Sequence, residues 1–197
     1  MLFYTILNYK FTNFNSLVNT FIKFMELKLT PFEPNFDYDI TFNIKSNENS
    51  LLCSYSITGK ITNLSLKEGR SAKRKSFLWL DTCFEFFMKE ANCPDYYEFN
   101  FASNSDYNIF HFPEYRAPLT ETNDFLVDSR MEFESENKIV FDFEIFAHKD
   151  VASKEFSFLA SVILNTNDQK VSLWAVDHAQ PKADFHDPKT YKNRIRF

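Results

Sequence analysis

The sequence predicts an all-β protein, an antiparallel sandwich of about nine or ten strands. Three observations carry that prediction. From Phe36 onward apolar residues return at every second position rather than every third or fourth. The alternating runs are short and end in segments rich in Asn, Ser, Thr and Asp, the residues that favour turns. Beyond residue 25 no long stretch keeps a helical period. A chain of 197 residues suits one domain with a full core.

Residues 1–24 read as an extension, and 25–197 as the single β-sandwich domain. Leu17, Val18, Phe21, Ile22 and Met25 fall at helical spacing, which fits a short amphipathic helix. Met25 equally reads as the natural start, with the upstream residues outside the natural chain. The first two strands follow: Tyr38, Ile40, Phe42 and Ile44 alternate with Asp39, Thr41 and Asn43, then Leu51, Cys53, Tyr55 and Ile57 with Ser54, Ser56 and Thr58. Short strands are expected at 61–66 and 108–112, on either side of two central ones. The loop at 69–75, GRSAKRK, reads as solvated basic surface. Alternation resumes at 125–134 and 138–146, one helical turn is expected at 147–154, and 156–164 and 171–176 form a late hairpin around the turn 165–170.

Composition excludes several classes. Charged residues are 25% of the chain and the formal net charge is −5, so there is no basic footprint for nucleic acid or an anionic membrane. The 25 Phe against 2 Gly are spread along the whole chain and read as a codon bias without functional weight. Cys53, Cys83 and Cys93 form no CxxC pair, which is read as reduced thiols in a cytoplasmic protein. The opening MLFYTILNYK lacks the features of an export signal, and no run approaches the ~18 apolar residues of a membrane span.

The central segment carries the candidate site. Read with a period of two, Asp81, Cys83 and Glu85 point one way while Phe84, Phe86 and Met88 point the other. In the next segment Tyr96, Glu98 and Asn100 oppose Tyr97, Phe99 and Phe101. If the phenylalanine faces join in a core, the carboxylates share the opposite surface.

The runs L-W-x-x-T-C-F-E-x-F (78–87), Y-x-E-F-N (96–100), F-x-x-Y-R (112–116) and W-A-x-x-H-x-x-P-K-x-D-F-H (174–186) occur in series. Together they resemble bacterial DOMON-like proteins related to family 9 carbohydrate-binding modules, over about residues 26–197. The resemblance implies a jelly-roll-like β-sandwich with immunoglobulin-like layering that binds a ligand and catalyses nothing. In the sugar-binding relatives two tryptophans hold the ring, while carboxylate, amide and arginine groups bond its hydroxyls. The family's tryptophan and glutamate match Trp79 and Glu85, and its second tryptophan maps to Trp174. The expected site is therefore Trp79 and Trp174 stacking on a saccharide or sugar derivative, with Asp81, Glu85, Glu98, Asn100 and Arg116 bonding it and His178 or His186 closing the rim. Flat apolar surface plus bidentate polar groups is what a sugar ring requires.

Three other readings follow from the same residues. Some DOMON relatives hold haem through Met and His, which directs attention to Met88 and the histidines. Glu85 and Glu98 are also a candidate carboxylate pair for a glycoside-processing enzyme. The spacing of His178 and His186 fits no compact zinc pattern, so no metal is expected.

Overall fold

The computed structural model describes residues 24–34, 36–47, 49–147 and 154–197. The helical spacing of Leu17 to Ile22 lies outside these residues, as does most of the turn expected at 147–154. Met25, the last residue of that spacing, belongs to a strand.

Among the described residues twelve strands form one antiparallel sheet. They are β1 (Phe24–Pro31), β2 (Tyr38–Ser46), β3 (Ser50–Gly59), β4 (Cys83–Glu90), β5 (Tyr96–Ala102) and β6 (Tyr107–Phe112). There follow β7 (Thr120–Glu121), β8 (Phe125–Ser135), β9 (Lys138–Ala147), β10 (Glu155–Asn165), β11 (Val171–Ala175) and β12 (Asn193–Arg196). Short 3-10 turns stand at Ile61–Asn63, Leu78–Leu80 and Pro188–Thr190. The count exceeds the expected nine or ten for local reasons. β1 is hidden in the sequence by an overlapping helical spacing, while β7 and β12 are too short to show a period. The strand expected at 61–66 is instead a 3-10 turn followed by a single bridge between Leu64 and Thr166. No helix among the described residues is long and apolar enough to cross a membrane.

The strand order is β7-β6-β5-β4-β10-β11-β1-β2-β3-β9-β8, with β12 beside β10. β1 joins the two halves: Phe24 to Leu29 pair with β2, and Thr30 and Pro31 pair with β11. The sheet thus turns over at β1, and its two layers face each other across the core. Phe84 of β4 stacks on Phe141 of β9 with ring centroids 4.2 Å apart, and Phe42 of β2 stacks on Phe86 at 5.8 Å. The Tyr55 hydroxyl crosses between layers to donate to the Glu85 carbonyl at 2.5 Å, which satisfies a buried polar group. The alternation in the sequence is thus the alternation of an inner face, rich in Phe and Ile, with an outer one.

Candidate ligand-binding site

The site lies on the outer face of the layer β11-β10-β4-β5-β6. Pairing registers place Ser161, Glu85, Asn100 and Asn108 side by side across β10, β4, β5 and β6. The next row is Leu159, Phe87, Glu98 and Phe110. The period of two that sends Phe84, Phe86, Phe99 and Phe101 inward sends these residues outward. This face is not open to water. Phe87, Tyr96, Phe110, Phe112, Leu159 and Ala175 form a second apolar cluster, closed by Tyr191 and packed by Trp79 and Phe185. Glu85 keeps only 3% and Glu98 5% of its exposure, and Asn100 none.

Within this cover is a cavity of about 400 Å³ lined by Trp79, Glu85, Glu98, Arg116, Phe185 and His186 among others. Trp79 reaches it from the 3-10 turn Leu78–Leu80, its ring edge-on to Phe110 at 5.9 Å and to Phe77 at 5.5 Å. The turn is entered through Phe77 in the left-handed conformation (φ 61°), which is uncommon for a bulky residue. Arg116, which also lines the cavity, has positive φ (53°) as well. Backbone strain therefore occurs at or beside two of the lining residues, as it often does at ligand sites.

The C-terminal segment 177–191 forms one wall and is fastened by Asp184. That carboxylate accepts from Tyr115 Oη at 2.5 Å, from Arg116 at 2.6 and 3.3 Å, and from the His186 amide at 3.0 Å. Burial alone would raise its pKa, but the bonds from Tyr115 and Arg116 lower it overall. His186 lies edge-on to Phe87, Tyr96 and Phe112, and its Nδ1 bonds the Tyr96 hydroxyl at 2.8 Å.

The carboxylate pair sets the electrostatics. Burial raises Glu85 well above the usual carboxylate range, and the charge of Glu98 adds to the effect. Burial pushes Glu98 up to about 7, against the opposing hydrogen bond from Asn100 Nδ2 at 2.7 Å. Burial and then Arg116 depress His186 to about 4. The 3.9 Å approach of His186 Nε2 to Glu98 is therefore not an ion pair near neutral pH, because the imidazole is uncharged.

Trp79, Glu85, Glu98, Arg116 and His186 come together at the cavity; the other expected residues lie elsewhere. Asn100 stands behind Glu98 as its hydrogen-bond donor. Asp81 points away and pairs with Lys67 at 2.9 Å, because the 3-10 turn interrupts the strand before Cys83 and breaks the period. Trp174 is buried on the inner face, beside Tyr38, with its Nε1 donating to Ser172 Oγ at 2.9 Å. Its register partner is Val162, an inner residue, so it has no route to the cavity; its neighbour Leu173 lines it instead. His178 bonds the Thr30 carbonyl at 2.7 Å and supports Phe185 from behind, at 6.2 Å between rings. Met88 lies in the inner core, across the sheet from His186, so these two side chains cannot grip one iron. Among the described residues no group of three or more His, Cys, Asp or Glu is arranged to hold a metal ion.

Sequence reasoning missed Phe87, Phe112, Asp184 and Phe185. Phe87 was within reach, since it follows Glu85 by two and shares its face. Asp184 and Phe185 come from an irregular loop that has no period to read.

No family model matches the chain, and neither does any curated protein. Solved structures do. A Bacteroides uniformis protein described as a candidate carbohydrate-binding protein aligns over 86% of this chain and 84% of its own, at 13% identity and a TM-score of 0.61. A family 9 carbohydrate-binding module from Caldicellulosiruptor kristjanssonii, solved with cellotriose, covers 81% of this chain and 75% of its own, at 10% identity and a TM-score of 0.50. The glucose complex of a family 9 module from that organism covers 89% and 83%, at 10% identity and a TM-score of 0.51. At such identities the likeness is one of fold: this chain has the β-sandwich fold of family 9 carbohydrate-binding modules.

Proposed function

We propose that the protein is a non-catalytic, DOMON-like module that binds a saccharide or sugar derivative in the cavity beside Trp79. The observation that carries this reading is the meeting of one indole with two buried carboxylates in a single 400 Å³ cavity. Trp79 offers a flat apolar surface for the C–H face of a sugar ring, while Glu85 and Glu98 offer oxygens to its hydroxyls. A volume of this order suits a small ligand. Arg116 shapes the wall through Asp184 rather than reaching the ligand itself, and Phe185 takes the place that Trp174 does not fill. The fold likeness to modules solved with cellotriose and glucose supports the choice of ligand class.

Binding is favoured over hydrolysis by the carboxylates themselves. A glycosidase pairs a protonated acid with an ionised nucleophile or base, which requires two environments that push the pKa values apart. Here burial raises both Glu85 and Glu98, so neither is set up as the ionised partner in mildly acidic solution.

The test is a tryptophan fluorescence titration against monosaccharides, glucans and cell-wall amino sugars. A saturable change that is lost in Trp79→Ala but kept in Trp174→Phe is the expected result, because Trp174 is in the core. A flat response to every saccharide would overturn the reading.

A further inference from the structure

Among the described residues the cavity holds more acidic groups than basic ones. Glu98 Oε1 accepts from Asn100 at 2.7 Å and Glu85 Oε2 from Ser161 at 3.2 Å. The second oxygen of each carboxylate takes no hydrogen bond from the described residues, with His186 Nε2 standing 3.9 Å from Glu98 Oε2. Neither open oxygen is among the buried atoms sealed off without a partner, and both residues line the cavity. Among the described residues the one permanent cation lining the cavity, Arg116, is spent on Asp184. Two buried carboxyl groups therefore line the cavity with no cation among the described lining residues left to balance them once they ionise.

Resting on the saccharide reading above, we propose that the natural ligand carries a protonated amine, as an amino sugar does, and that Glu85 and Glu98 together are its counter-ions. Diagonal neighbours on adjacent strands stand roughly 7–8 Å apart with their Cβ atoms somewhat closer, a span that a single ammonium group between two carboxylates bridges. Trp79, Phe87, Phe112 and Phe185 add aromatic surface, which attracts a cation through the ring quadrupole. A neutral sugar offers no charge to offset ionisation of the pair, so the pair must stay protonated to receive it. An ammonium takes the place of those protons, and binding then releases them to solvent.

The titratable groups around the pair fit this exchange. Cys83 shares the face of Glu85, and its thiol is pushed well up by burial. Tyr55 approaches from the opposite layer, and Tyr96 and Tyr191 from β5 and the C-terminal segment; all three are raised by burial and stay neutral. His186 is uncharged, Asp184 and Arg116 neutralise each other, and Lys67 is paired with Asp81. The exchangeable protons therefore belong to the two glutamates.

Isothermal titration of the full chain at pH 6.5 with D-glucosamine, D-glucose and N-acetyl-D-glucosamine, in two buffers of different ionisation enthalpy, tests the proposal. D-Glucosamine should bind at least about tenfold tighter than the two neutral sugars, with more than one proton released per site. In Glu98→Gln the ratio of glucosamine to glucose affinity should fall to about one, with the melting transition checked to establish folding. Equal or tighter binding of glucose or N-acetylglucosamine would overturn the ammonium proposal and leave the saccharide site standing. No binding of these sugars, nor of their oligomers, would overturn both.

Discussion

Two tryptophans with similar sequence credentials have opposite fates. Trp79 reaches the cavity from a 3-10 turn, whereas Trp174 lies in the core, one step of register from the cavity-lining Leu173. Alternation divides a strand into two faces but does not say which is inner; that is fixed only by the partner strand, here through Val162. Glu85 and Glu98 were legible as a shared face because phenylalanines alternate with them on both strands. Their burial was not, since the cover comes from a loop some ninety residues away in sequence. That burial has a measurable signature. The Glu98 carboxyl stands at about 7 in the folded protein against an ordinary 4.5, so between those values the folded state binds more protons than the unfolded one. Stability accordingly falls as pH rises from 4.5 through 7, and the full cost, about 3 kcal/mol, is present above that range. His186 has the opposite sign: held at about 4 against 6.5, it contributes stability that is lost as pH falls through that window. Because both proteins keep His186, the difference between Glu98→Gln and wild type reports the carboxyl pair, Glu98 together with its effect on Glu85. The melting temperature of the variant should rise relative to wild type between pH 5 and pH 8; parallel curves would mean that Glu98 is ionised at no cost.

The strands that could be read from sequence have at least five residues and an apolar alternation or a flanking turn. β1 was obscured because Met25 completes a helical spacing begun at Leu17, while the strand's own alternation is carried by Met25, Leu27 and Leu29. The segment 177–191 had no period at all, yet it makes a wall of the site. It is held by side chains: Asp184 to Tyr115 and Arg116, Asp187 capping the turn Pro188–Thr190, and Tyr191 Oη donating to the Phe185 carbonyl at 3.0 Å. Arg116 and Asp184 are charged residues at the lip, where exposed pairs contribute only about 0–1 kcal/mol to global stability. Their work is to fix the wall. Asp184→Asn should therefore leave the melting temperature within a few degrees of wild type. It should also weaken saccharide binding about tenfold through a faster off-rate and speed amide hydrogen exchange in 177–187. Unchanged exchange in that segment would show that the fastening lies elsewhere.

At the scale of the molecule the two faces of one layer serve different ends. The inner face joins both layers in one cluster that runs from Ile40 and Phe42 through Phe84 and Phe86 to Phe141 and Phe143, so the sandwich cannot lose one layer without exposing the other. The outer face is a smaller cluster closed by a few side chains of the C-terminal segment. Truncations on the two faces should differ in kind. Phe84 is fully buried and stacks on Phe141 at 4.2 Å, so Phe84→Ala should cost about 3–5 kcal/mol and lower the single unfolding transition of the whole protein. Tyr191 is also buried, but it packs on Phe87 and Tyr96 under the segment that covers the cavity. Tyr191→Ala should open that cover ahead of global unfolding, abolishing ligand binding and exposing residues 177–191 to protease at temperatures where the sandwich is still folded. Coincident loss of the segment and the sandwich in Tyr191→Ala would show instead that the outer cluster is part of the cooperative core, and that the site has no motion independent of the fold.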